Sequence, residues 1–446
     1  MAYRGVAACY GNTGEFEKEA VAAKKAMELS DRLPERLRYQ IQITAYSTSD
    51  ATYPQAIDAC NKLLAMYADD GIGLTNLALI YENAEDFEKS VPLQEAAARV
   101  SPDYLGVGNL ASGYMYLGDY EKAINTLERY LKRDPKNATA HVDLGWNFLS
   151  AGNLEGAQRE AETASLLAPL EVQASLLKGD VAHLRGAYAE SEREYSSIVA
   201  QGTEANRRTA RRRLANLYMT MGRFQKAREQ VPGLMLAAPW VGGSIELASG
   251  HPDNALTAIQ PALADPLITS RSTYALQYMA MLGLSYAAMG NSSEAQKVAS
   301  EIRSKGQEVF ARPATRLSLA VSGADAIKRG DGRTAVADLE RSVSMMPHQC
   351  YVGEGHAVIL DLLAQAYMTS GDLTKARETY EKITALTTGR MGWGPYYARS
   401  FYNLGLIAER QGDTARAREQ LSRFLEIWKN ADPGLPEVAD AKKRLK

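Results

Sequence analysis

Two neighbouring stretches carry one design: LASGYMYLGDYEKAINTLERYLKRDP over Leu110–Pro135 and LGWNFLSAGNLEGAQREAETASLLAP over Leu144–Pro169. Gly118, Gly152 and Gly186 follow one another at 34-residue steps, and Pro102, Pro135 and Pro169 advance almost in phase. The physical reading is helix, tight turn, helix, stop. Leu144, Gly145 and Phe148 share one face of the first helix. Gly152 sits where that helix must end in a left-handed turn, which glycine adopts without a Cβ penalty. Ala157 and Ala164 let the second helix approach its neighbour closely. Pro169 ends the unit, because proline cannot continue a helix interior.

The same text recurs along the chain. First helices carry Leu77/Ala78/Tyr81, Leu110/Ala111/Tyr114, Leu214/Ala215/Tyr218, Leu282/Gly283/Tyr286, Leu363/Ala364/Tyr367 and Leu404/Gly405. Second helices carry Phe87/Ser90/Ala97, Tyr120/Ala123, Phe224/Ala227, Leu373/Ala376 and Ala417. This text resembles the tetratricopeptide repeat, W-x2-L-G-x2-Y then A-x3-F, A and P, in about twelve units. The resemblance implies an all-α, right-handed superhelical solenoid of helix-turn-helix units. It also implies a protein or peptide partner held on a concave surface lined by first helices. The concave candidates are Thr75 and Leu79; Ser112, Met115 and Tyr116; Val142, Trp146 and Leu149; Asp180 and His183; Arg212 and Asn216; Asp361 and Gln365; Tyr402 and Arg410. Some chaperone-binding members clamp a peptide carboxylate with a basic residue and an asparagine one turn later. Arg212 and Asn216 match one such pair, but the units on either side do not complete the clamp. Trp146 and Tyr116 suit apolar anchors, since aromatics dominate binding hot spots; the alternative reading places them in the packing between repeats.

The period lengthens along the chain. Gly290, Gly330, Gly371 and Gly412 are spaced 40, 41 and 41 residues apart, which calls for longer helices or longer loops. Two arrays are therefore expected, 1–239 and 240–446, the second ending in a capping helix. Between them, Pro239 to Pro266 reads as a bend or weak joint, or equally as a plain degenerate repeat, with a truncated first helix ahead of Ala255, Ile259 and Ala262.

A chain of 446 residues exceeds what one core sustains, and a stack of repeats resolves that. The net charge of −2 argues against nucleic acid as partner. The most apolar stretch, Val231–Val241, is interrupted by Pro232 and Pro239 and is too short to span a bilayer, so a soluble chain is expected. Cys9, Cys60 and Cys350 form no CxxC pair. His348 and His356 flank Cys350, a spacing that suits a turn between repeats better than a metal site. No phosphate loop or catalytic motif stands in a suitable context: GVGNLASG at Gly106 opens a helix and follows no strand. No enzyme activity, cofactor or metal is expected of these residues. Arg207, Arg208, Arg211, Arg212 and Arg213 wrap around a helix start, which suits a solvated face paired with Glu192 and Glu194.

Met1-Ala2-Tyr3 opens directly on the expected buried face of a first helix, without a polar cap, so an upstream domain is expected. The C-terminal DPGLPEVADAKKRLK reads as one extra helix with a basic last turn. The tail Tyr380–Leu445 resembles the C-terminal end of bacterial eukaryotic-type serine/threonine kinases. The residues carrying this are Trp393-Gly394, Arg399 to Tyr402, Leu404-Gly405, Gly412-Asp413, Trp428-Lys429 and Ala431-Asp432-Pro433. Leu33–Asp70 resembles a unit near the start of the same region. The resemblance implies a sensory or docking region. A free-standing adaptor, or a regulatory region of a transcription factor or nucleotide cyclase, are the alternatives.

Overall fold

In ten of the units a glycine dictates the reversal between the two helices. Gly14, Gly118, Gly152, Gly186, Gly222, Gly250, Gly290, Gly330, Gly371 and Gly412 all have φ between 69° and 86°. After six of them comes Asp or Asn: Asp119, Asn153, Asn291, Asp331, Asp372 and Asp413. Each accepts a hydrogen bond from the backbone N–H three residues on. One dipeptide thus ends the first helix and caps the second.

The computed structural model describes residues 1–234, 240–270, 272–306, 308–348 and 355–446. They form twelve such hairpins, from Ala2–Thr13 with Phe16–Glu28 to Gly394–Arg410 with Thr414–Ile427, then a single helix Pro436–Arg444 with a basic last turn. The fold is an all-α, right-handed repeat superhelix, with no strand among the described residues. The longer period comes mainly from the first helices: Tyr104–Tyr116 has 13 residues, whereas Ser272–Met289 and Ala311–Lys328 have 18 each. At the expected bend, Trp240–Ala248 is cut to 9 residues. The preceding second helix is also short, Phe224–Arg228, and passes into the 3-10 turn Val231–Gly233. That shortening has no clear mark in the sequence beyond Pro232. Leu234 and Val241 belong to one apolar cluster.

The superhelix is wound so tightly that one winding rests on the next. Ser49 Oγ donates to the Ser270 carbonyl at 3.2 Å, and Thr387 Oγ1 to the Ser150 carbonyl at 2.7 Å. Trp428 Nε1 donates to the Thr220 carbonyl at 3.0 Å, and Gln225 N to Asp432 Oδ2 at 2.8 Å. The partners lie 207 to 237 residues apart, and later residues meet later residues, so the windings run parallel. One core cluster joins Leu217, Phe224 and Ile245 of the earlier winding to Tyr397, Phe424 and Trp428 of the later one.

The third hairpin breaks the glycine rule for this purpose. Glu85 takes the turn position with φ 60°, the one non-glycine residue with positive φ among the described residues. Its carboxylate receives both terminal nitrogens of Arg316, with Nη2 2.7 Å from Oε1, and Arg316 is 1% exposed. An L-residue in that conformation is strained; here the strained turn aims an anion at a buried cation one winding on.

Three expectations are corrected. Tyr3 and Val6 are exposed, because no hairpin of this chain packs on that side of the first helix. Arg213 is not a solvated cation: it is buried, with Nε 2.8 Å from Asp180 Oδ1. Glu192, expected to face the arginine run, instead pairs with Arg223 and Lys226.

Candidate binding surface

The sequence candidates lie on first helices, and many of them are buried. Met115 packs with Leu110, Tyr114 and Ala123, and its Sδ lies 3.5 Å from Ser150 Oγ. Leu149 is fully buried against Ala157 and Leu177, and Val142 against Ala164 and Ala174. Asp361 is buried, receiving Gln365 Nε2 at 2.5 Å. Tyr402 donates its hydroxyl to Asp440 of the capping helix at 2.8 Å. In this conformation these side chains pack the fold. Tyr116, Trp146, Arg212 and Asn216 are half-buried, while Arg410 and Leu79 are exposed. Tyr116 meets Phe87 at 5.4 Å between ring centroids, and the Arg213 guanidinium lies 5.1 Å from the centre of a Trp146 ring. Both aromatics therefore contribute to packing between repeats.

Asp180, His183 and Arg213 form a connected buried group. Burial pushes the Asp180 carboxyl up to about 6, against the pull of Arg213. Burial first, then the positive charges of Arg390 and Arg213, push the His183 imidazole down to about 3, so it is neutral. Thr220 Oγ1 donates to the Asn216 carbonyl and so can only accept from His183 Nε2, 3.0 Å away. Elsewhere, His356 Nε2 lies 2.7 Å from the Pro347 carbonyl, while Cys350 lies outside the described residues. No cluster of three metal-ligating side chains occurs among the described residues, and none of their helices is long and apolar enough to cross a membrane.

Beside that group the inner surface keeps an open cavity with a volume of about 100 Å³. Its lining includes the polar His183, Arg212, Arg213 and Asn216 and the apolar Met281, Leu284, Leu317, Val358 and Ile359. Trp240 and Trp393 also line it. Sequence reasoning selected His183, Arg212 and Asn216 but missed the rest, because the apolar lining comes from first helices several units further along the chain. Trp240 stood in the bend, and Trp393 drew notice only through the tail resemblance.

Tetratricopeptide repeat family models match residues 73–104, 114–180 and 355–430. The chain contains tetratricopeptide repeats. The structure is similar to a tetratricopeptide repeat protein from Parabacteroides merdae, at 14% identity and TM-score 0.34, over 74% of this chain and 98% of that one. It is similar to the Cut9–Hcn1 hetero-tetramer of APC/C at 13% identity and TM-score 0.34, over 100% of this chain and 96% of that one. Naa15/Naa10 bound to HypK-THB matches at 17% identity and TM-score 0.27, over 92% and 66%. No curated protein sequence matches the chain.

Proposed function

We propose that this chain is a protein-interaction scaffold that holds a protein or peptide along the first-helix face of its early units, and that it is the sensory or docking region of a bacterial serine/threonine kinase. Tetratricopeptide repeats generally mediate protein–protein interaction, which supports the first half. Leu79 carries the placement: it is an exposed leucine on the first helix Gly71–Asn83, beside a hollow lined by Thr75, Gly106 and Asn109. Ser112, Tyr116 and Trp146 continue that face through the next two units. The likeness of Tyr380–Leu445 to kinase tails supports the second half.

A photo-reactive residue at Leu79 or Ser112 tests the placement, with exposed Glu162 as control. In source cells, cross-links to one polypeptide are expected at Leu79 and Ser112 and not at Glu162. Cross-links at Glu162 alone would overturn the placement. An antibody against the chain tests the kinase parentage. A band well above 48.7 kDa with kinase activity is expected, and a sole band near 48.7 kDa would leave a free-standing adaptor.

A further inference from the structure

We infer that this chain stacks head-to-tail on further copies of itself, the connection edge of one copy's early winding resting on the turn edge of the next copy's late winding. Every hairpin is antiparallel, so the turns within units lie along one edge of the ribbon and the connections between units along the other. The seam inside the molecule joins these opposite edges. Connections of the later winding sit on turns of the earlier one. Phe310 meets Tyr53 at 5.6 Å between ring centroids, Met391 packs with Leu149 and Leu184, and Trp428 meets Phe224 at 6.1 Å. Phe310, Met391 and Trp428 are all buried. The covered turns are closed off with them: a Cβ on Gly222 would lie 2.9 Å from the Trp428 ring.

Both halves of that seam recur without a partner at the two ends of the molecule. In the early winding the equivalent connections and their flanks carry Leu29, Met66, Val100, Leu105, Leu166 and Leu170. All six are exposed, Leu166 at 83% and Leu170 at 96%. Apolar side chains gathered along one exposed edge mark an interaction surface. The connection at 132–137 lacks an apolar residue and exposes Lys132 and Lys136 instead. Their ammonium groups suit the carbonyl ends of helices, where Arg390 and Arg399 already donate within the seam. In the late winding the turns at Gly290, Gly330, Gly371 and Gly412 are exposed. A Cβ placed on Gly330, Gly371 or Gly412 meets no atom of the described residues within 4 Å. One copy thus offers both edges of the contact that fastens its own windings, and a second copy continues that seam. The two edges differ, so the contact is heterologous and the stack grows instead of closing as a two-fold dimer.

The test is sedimentation equilibrium of the whole chain with two pairs of exposed substitutions. Leu166→Lys with Leu170→Lys blocks the connection edge, and Met289→Lys with Thr369→Lys blocks the turn edge. The weight-average mass of wild type should rise from 48.7 kDa to at least about twice that value between roughly 1 and 200 micromolar, as a small solvated interface with a dissociation constant on the order of ten micromolar would give. Each double variant should self-associate at least roughly thirtyfold more weakly. Mixed together, the two variants should form a one-to-one dimer that grows no further, since one intact edge of each kind remains. A wild-type chain that stays monomeric at about 200 micromolar overturns the inference. So does a turn-edge variant that still dimerises alone, which would mean that two connection edges pair with each other. Association untouched by either pair would also overturn it, and would move the contact to the exposed Tyr3 and Val6 of the first helix. The wild-type concentration series stands even if a variant fails to fold. Leu79 lies on neither edge, so this inference and the docking face fail separately.

Discussion

Replacing Glu85 by glycine should destabilise the protein, although glycine is what the repeat pattern asks for at that turn. Two effects oppose each other. Glycine relieves a left-handed conformation that costs an L-residue about 1 kcal/mol or somewhat more. It also removes the carboxylate that answers Arg316, whose side chain is 2% exposed. Removing one partner of a buried ion pair costs about 3–5 kcal/mol, because the remaining charge stays desolvated. The pair is the larger effect, so Glu85→Gly should lose about 2–3 kcal/mol in urea unfolding. Glu85→Ala loses the pair and keeps the strain, so it should fall about 1 kcal/mol below Glu85→Gly. Adding Arg316→Met to Glu85→Gly removes the stranded charge and should restore most of the loss. Because the pair bridges two windings, the radius of gyration from small-angle scattering should also rise in Glu85→Gly. A Glu85→Gly protein as stable and as tightly wound as wild type would refute the reasoning, and would mean that the strained turn is a tolerated accident.

Two further perturbations probe the same closure and the buried charge beside it. A Cβ on Gly394 would lie 1.7 Å from Thr220 Oγ1 and 2.9 Å from Thr220 Cα, so Gly394→Ala must push the windings apart; a loss of about 1–3 kcal/mol and a larger radius of gyration are expected, and unchanged scattering with an unchanged urea midpoint would contradict it. Asp361 is pushed up to about 7 by burial, with Gln365 and Arg399 pulling the other way, whereas an unfolded aspartate titrates near 3.9. Its contribution is therefore fully present below pH 4 and is lost as pH rises through 7, so the stability of wild type relative to Asp361→Asn should fall by up to about 4 kcal/mol between pH 4 and 8. A flat difference curve would show that Asp361 stays ionised in the fold.

Local order was readable because each unit writes its own instructions. Gly152-Asn153 and Gly412-Asp413 specify a helix stop and a helix start in two letters; the left-handed stop at Gly152 appears as read, and the caps at Asn153 and Asp413 are added by the structure. The partners of Arg213 were not readable. Its pairing with Asp180 joins neighbouring units 33 residues apart, and at that distance Glu192 looked equally placed. The inner cavity was harder still. Arg212 and Asn216 announce themselves on one helix face, but Val358 and Trp393 join them only through the curvature of the superhelix, which no single unit encodes. Curvature is set by small rotations that accumulate over successive units.

The residues of the C-terminal tail have a structural task of their own here. A first helix that stops at a glycine leaves its last carbonyls without helical partners. Those carbonyls must find donors once the next winding shuts out water. The later winding supplies them. Thr387 Oγ1 donates to Ser150 O, and Arg390 Nη2 to Leu184 O at 2.7 Å. Trp428 Nε1 donates to Thr220 O, and Arg399 Nη1 to Ala248 O at 2.7 Å. Each acceptor lies at the C-terminal end of a first helix, where the helix dipole also favours the arginines. Asp432 adds the reverse arrangement: its backbone N–H donates to Gly222 O while its carboxylate accepts from Gln225 N. Gly394 provides the close approach at Thr220 that lets the rest engage. Trp393 lines the inner cavity, while Gly394, Arg399, Trp428 and Asp432 fasten one winding to the next. The spacing of these residues therefore follows the superhelical turn and not the repeat, which is why they stand out from the repeat pattern as a separate text.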